Sequence, residues 1–184
     1  QKSANSDQSK KLTRIISSSN NIVALKEDLL TLVKEEKVEL NSETLDLAAV
    51  IKEEVVLFEV GDEIRCDMEC FEINIDRLEL IRVLHNLISN AIKYNQNHHV
   101  IDISLRRGKL QISDKGIGIK NSSRVFDNFY REAKGIQGTG LGLSVVKKIC
   151  DHWNIAISLE SEIAKGTTFT LDFSKLHINY TKRV

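Results

Sequence analysis

Proline is missing from all 184 residues of this chain, against an ordinary usage of about 5%. Cysteine is scarce. Cys66, Cys70 and Cys150 are too few and too scattered for a disulfide framework, which fits a reducing compartment. Cys66 and Cys70 are not followed by a second pair at zinc spacing, so no cysteine metal centre is expected. A charge surplus is lacking too: Lys+Arg and Asp+Glu both number 26, for a formal net charge of +0. Nucleic-acid binders carry a basic excess, so nucleic acid is not an expected partner. No apolar run approaches the roughly 20 residues of a membrane span, and no signal-peptide pattern opens the sequence. These residues are expected to be soluble, with any membrane anchor lying outside them.

What is present begins with a polar stretch, "QKSANSDQS", followed by helical periodicity over residues 10–37. There Leu12, Ile15, Ile16, Ile22, Leu25, Leu29, Leu32 and Val33 recur at three- and four-residue steps. Such an amphipathic stripe needs cover, from its own domain or from a hairpin or dimer bundle. "EKVELNSETLDL" reads as a linker, and Leu47 to about Glu59 as a helix. "CFEINI" (70–75), "VIDISL" (100–105) and "KLQIS" (109–113) read as strands. Ile155, Ile157 and Leu159 alternate, as do Phe169, Leu171 and Phe173. Turns at Arg107-Gly108 and Lys165-Gly166 make two antiparallel hairpins. The expected class is α+β: a sheet with helices covering one face.

A longer helix is expected over "DRLELIRVLHNLISNAIKYNQ", with Asp76 as N-cap and Glu79 at capping-box spacing. At about 100° per residue, Asn90, Lys93 and Asn97 fall within about 40° of Asn86, and Tyr94 at about 80°. Leu80, Leu84, Leu87, Ile88 and Ala91 take the opposite side. A solvated face favours Glu, Lys, Arg and Gln, whereas asparagine is a poor helix former. The ladder reads either as a solvated face or as a magnesium–phosphate site. An amide oxygen is a hard neutral ligand for Mg²⁺ once phosphates supply charge, and a lysine one turn on meets phosphate as a point charge.

Two glycine stretches remain. "SDKGIGI" (113–119) ends a strand with Asp114, then Gly116 and Gly118, which is an ordinary turn or a close approach to a flat ligand. "GTGLGL" (138–143) belongs to neither common phosphate fingerprint. No G-x-x-x-x-G-K-[ST] string occurs, and for G-x-G-x-x-G the third glycine, Gly142, comes one position early. The preceding "NFYREAKGIQ" is no strand, although Glu160 lies at a suggestive distance downstream. What survives is a mobile loop feeding a helix N-terminus near Leu141, where free N–H groups favour phosphate.

Taken in order, "HNLISNAIKYN" resembles the N box, "DKGIG" the first glycine box, "VFDNFYR" the F box, "GTGLGL" the second glycine box, and "AKGTTF" the glycine-threonine box. Together they resemble the catalytic ATP-binding domain of sensor histidine kinases, in the gyrase, histidine kinase and MutL superfamily. The resemblance implies a two-layer α/β sandwich, with a mixed sheet of about five strands against three helices and one long helix before it. It also implies residues 1–40 as the second helix of a dimerisation hairpin and 41–184 as the ATP-binding domain. By matching position, Asn90 would coordinate Mg²⁺, Asn86 would support it and Lys93 would meet phosphate. Tyr94 would line the pocket, Asp114 would accept the adenine amino hydrogen, and Gly116 and Gly118 would make room for the ring. Residues 120–137 would form a lid anchored by Phe126 and Phe129, with Arg131 directed toward phosphate or the partner helix. Gly138, Gly140 and Gly142 would hinge the lid, and Thr167 would close the adenine end through its hydroxyl. Ile119, Tyr130, Thr139, Leu141 and Leu143 complete the implied ATP-binding set.

ATPases of the superfamily carry a glutamate one turn before the magnesium asparagine, as general base on water. Here that position is Asn86, which cannot take a proton, so kinase is favoured over hydrolase. The family's nucleophile is a histidine followed by an acidic residue and then a proline. None of His85, His98, His99, His152 or His177 precedes Asp or Glu, and proline is absent. The acceptor helix is therefore expected outside this sequence. The implied partners are ATP, that helix (its own or a second subunit's) and a response regulator, in a homodimer whose ATP-binding domain is cytoplasmic and whose anchor is the inner membrane. A nucleotide-binding module without transfer, or a serine kinase of anti-sigma type, is the alternative.

Overall fold

The computed structural model describes residues 41–177, apart from 59–62, 96–98, 133–135 and 137, together with 25, 26 and 29–31. The chain divides into two units, Gln1–Glu35 and Glu36–Val184. In the first, residues 25–26 and 29–31 are helical, and the rest of the expected helix over 10–37 lies outside the described residues.

The second unit runs β1 (Ser42–Asp46), α1 (Leu47–Leu57), β2 (Ile64–Met68), β3 (Glu72–Asp76), α2 (Arg77–Tyr94), β4 (Ile101–Arg106), β5 (Lys109–Asp114), α3 (Gly142–His152), β6 (Ala156–Glu162) and β7 (Gly166–Asp172). Short 3₁₀ turns occupy Ser122–Arg124 and Ser174–Leu176. The five-stranded sheet has the order β2-β4-β5-β7-β6, while β1 and β3 form a separate antiparallel ribbon. Only β2 and β4 are parallel, so the sheet is mixed. The expected α+β sandwich of five strands and three helices is what the chain adopts.

Alternation explains the two layers. Ile101, Ile103 and Leu105 of β4, Leu110 and Ile112 of β5, and Phe169 and Leu171 of β7 are buried on one face. That face packs against α1, α2 and α3, which contribute Leu47, Val50 and Ile51, then Leu80, Leu84, Leu87 and Ile88, then Val145, Val146 and Ile149. The other face is polar and pairs across strands, Ser113 with Thr168 at 2.8 Å and Gln111 with Thr170 at 3.3 Å. Arg107 (φ 51°) and Gly108 (φ 76°) both take left-handed geometry, which a two-residue hairpin turn demands.

α2 begins where its cap dictates. Asp76 accepts from the N–H groups of Leu78 at 2.9 Å and Glu79 at 3.0 Å. The carboxylate of Glu79 instead accepts from Trp153 Nε1 at 2.5 Å, tying α2 to the end of α3. The linker reading of 36–47 fails over Ser42–Asp46, which is β1, paired residue by residue with β3. β2, reading IRCDM, was not expected as a strand. Ile64, Cys66 and Met68 do alternate with Arg65 and Asp67, but over only five residues, and its outer edge faces no further strand among the described residues.

Candidate functional site

The ladder on α2 is directed at the glycine segments. The Asn86 amide donates to the Arg82 carbonyl at 3.0 Å. Its Oδ1 stands 2.3 Å from where a Cβ on Gly142 would lie, so a larger residue there, at the start of α3, would push the amide aside. Lys93 Nζ likewise stands 2.5 Å from a Cβ position on Gly138, and 5.2 Å from the Tyr94 ring centroid. Burial lowers the Lys93 pKa, and the charge of Arg131 lowers it further. Among the described residues, neither Lys93 nor Arg131 has a carboxylate at ion-pair distance. The Arg131 guanidinium donates to the Ile136 carbonyl. Cations without a counter-charge favour an anion nearby.

A second group of contacts surrounds Asp114 at the end of β5. Burial raises its carboxyl above the usual carboxylate range, while hydrogen bonds from the backbone N–H groups of Gly116 and Thr167 work in the opposite sense. The Gly116 bond measures 2.8 Å. A Cβ on Gly116 would meet the Tyr94 carbonyl oxygen at 2.2 Å, and one on Gly118 (φ 68°) the Glu162 carbonyl oxygen at 2.1 Å. Ser161 Oγ accepts from the Ile119 N–H at 2.8 Å and lies 2.9 Å from Thr167 Oγ1. The Thr167 hydroxyl, expected to close the adenine end, thus already has a partner, and its backbone N–H serves Asp114.

Between these groups opens a cavity of about 330 Å³, the size of a small-molecule site. Asn90, Tyr94, Asp114, Gly118, Ile119, Tyr130, Arg131, Leu143 and Thr167 line it. Asn86, Lys93, Gly116, Gly138, Thr139, Gly140, Leu141 and Gly142 lie outside its wall, and several of them back it. Leu141 is fully buried and N-caps α3 through its backbone, while Thr139 Oγ1 accepts its N–H at 3.2 Å. The wall also includes Ile117, Lys120, Val125, Glu132, Ile163 and Phe169, which sequence reasoning passed over. Ile117 lies in the first glycine box, Val125 in the F box, Lys120 and Glu132 in the expected lid and Phe169 in an alternating strand; Ile163 alone carried no signal.

One expectation needs correction. Phe129 does not anchor the lid by its ring, which is 65% exposed. It holds a left-handed backbone (φ 62°), and its N–H donates to the Gly140 carbonyl at 2.9 Å. The main chain makes this anchor.

The residues present fit a magnesium nucleotide. Asn90 stands in the wall, where its amide would offer a neutral oxygen to a metal, and Arg131 brings positive charge to the same wall. Among the described residues, no cluster of three His, Cys, Asp or Glu could hold a metal without the nucleotide's phosphates.

Sandwich, cavity and ladder together define the ATP-binding catalytic domain of the histidine kinase class, and the chain belongs to the family of histidine kinase-, DNA gyrase B- and HSP90-like ATPases, whose model matches residues 75–177. Among individual proteins, it is 32% identical to the sensor histidine kinase YkoH of Bacillus subtilis over 164 residues, covering 82% of this chain and 36% of that protein. To the sensor protein SrrB of Staphylococcus aureus it is 30% identical over 187 residues, covering 92% of this chain and 30% of that protein. The histidine kinase AdeS of Acinetobacter baumannii superposes with a TM-score of 0.70 at 27% identity, covering 88% of this chain and 83% of that one. The chain spans only 21–36% of the length of the curated relatives it matches. No helix among the described residues is long and apolar enough to cross a membrane.

Proposed function

We propose that this chain is the kinase core of a two-component sensor, which binds Mg-ATP in the cavity and donates the γ-phosphate to a histidine on a dimerisation helix. The observation that carries this reading is the cavity itself, lined by Asn90, Arg131 and the half-buried carboxylate of Asp114, with Lys93 behind it against Gly138. Asp114 accepts a hydrogen bond from the exocyclic amine of the base. Asn90 offers its amide oxygen to the metal, and Lys93 and Arg131 hold the phosphate charge. Magnesium, when bound, withdraws charge from the transferring phosphoryl group. A histidine ring nitrogen bonds to the γ-phosphorus as the bond to the β–γ bridging oxygen breaks, and ADP leaves. Asn86 supports the kinase assignment, because it cannot serve water as a base in place of the acceptor.

In the whole protein, a homodimer anchored at the inner membrane with this domain in the cytoplasm, the phosphohistidine passes its phosphoryl group to a response-regulator aspartate. Residues 1–40 supply the second hairpin helix and 41–184 the ATP-binding domain.

The test supplies the acceptor helix, in trans or by extending the chain upstream, with γ-labelled ATP. An acid-labile phosphohistidine is expected, and the chain alone should release ADP slowly. Steady hydrolysis by the chain alone would point to an ATPase, acid-stable phosphoserine to a serine kinase, and binding without transfer to a regulatory module.

A further inference from the structure

The segment after Gly118 is stitched by a bond that no sequence box marks. Glu132 Oε2 accepts from the Lys120 N–H at 2.8 Å, and Oε1 from the Asn121 N–H at 3.1 Å. These two amides lead into the 3₁₀ turn Ser122–Arg124, whose N-cap, Asn121, makes no side-chain capping bond. The Glu132 carboxylate holds the two amides just before the turn, in the charge-assisted geometry that suits successive amides. Within the enclosed span, Arg124 pairs with Asp127 at 3.0 Å and lies over the Tyr130 ring at 4.8 Å. The Phe129 N–H is held by the Gly140 carbonyl. Tyr130, Arg131 and Glu132 all line the cavity, as does Lys120.

Glu132 directly follows Arg131, yet its carboxylate is spent on the two amides and not on the guanidinium. We propose that Glu132 is a positioning residue of the nucleotide site: it pins the main chain beside Arg131 and keeps its own charge off that guanidinium, leaving Arg131 to meet phosphate. This rests on the nucleotide reading above. Glu132 touches no reacting atom in this scheme and acts through Arg131.

The consequence separates phosphate from base. Glu132→Ala should weaken ATP about three- to tenfold and leave adenosine unchanged, both read by displacement of a fluorescent ATP analogue. Glu132→Gln keeps one acceptor oxygen and should fall between. In an Arg131→Ala background, Glu132→Ala should cost less than about twofold, because the coupled pair has already lost its effector. Amide exchange of the apo chain should show Lys120 and Asn121 protected in the wild type and released in Glu132→Ala. An additive cycle, an equal loss for adenosine, or unprotected amides in the wild type would each overturn the proposal. Failure of the wild type to bind ATP at all would overturn the nucleotide reading, and the proposal with it, and is seen before any variant is made.

Discussion

Asp114→Ala should lower ATP affinity by roughly ten- to a hundredfold, the worth of about 1.5–3 kcal/mol for a hydrogen bond to a charged group. Titration of a fluorescent ATP analogue, with and without Mg²⁺, reads the loss. Unchanged affinity would remove the base from this end of the cavity. The same substitution has a second signature. A carboxylate raised by burial above its unfolded value of 3.8 stabilises the fold fully only below that value, and the contribution is lost as pH rises through the native pKa. The ionised Asp114 is therefore a standing cost to the apo chain at neutral pH, offset in part by the Gly116 and Thr167 amides. The Tm of the wild type should fall more steeply than that of Asp114→Ala as pH climbs above about 3.8. Affinity and apo stability are thus set against each other at one side chain.

Gly166→Ala should destabilise the domain by about 3–5 kcal/mol, adding the strain of a disallowed backbone to a steric clash. Gly166 opens β7 at φ 114°, and a Cβ there would lie 2.0 Å from the Asp114 carbonyl oxygen and 2.7 Å from Lys115 Cα. Both neighbours are main chain, at the end of the adjoining strand and one residue past it, so nothing flexible can yield. Against a total stability of about 5–15 kcal/mol this is a large share. Thermal unfolding should show a Tm drop of more than about 10 °C. A Tm within a few degrees of wild type would mean that β5 and β7 part more easily than their register implies.

Much of this was legible because it is local. The α2 cap at Asp76, the polar face of Asn86, Asn90 and Lys93, and the hairpins at Gly108 and Gly166 each follow from residues a few positions apart. β1 and β2 were not legible. SETLD carries charges and no apolar alternation, IRCDM alternates over only five residues, and what makes them strands is a partner brought from elsewhere: β3 for one, β4 for the other. The same holds for the cavity wall. Ile117, Val125 and Ile163 carry no chemical mark, and Glu132 acquires meaning only once the Lys120 and Asn121 amides lie opposite it. Phe129 failed as an anchor because a motif names a residue, whereas here the contact belongs to its backbone.

The strand order has a kinetic consequence. β4–β5 and β6–β7 are local hairpins, but the seam between β5 and β7 joins positions as far apart as Lys109 and Asp172. Asp114 and Thr167 face each other across that seam. Local pairings form quickly and distant ones late, so the pocket is assembled by one of the last events in folding. Nucleotide then has nothing to bind on the way up the barrier, and everything to hold on the way down the other side. ATP should slow unfolding in stopped-flow chevrons and leave the refolding rate unchanged, with no proline isomerisation to obscure the limb. Faster refolding with nucleotide would place the seam, and the pocket with it, in the transition state. In a chain built this way, the ligand guards the exit from the native state and takes no part in the entrance.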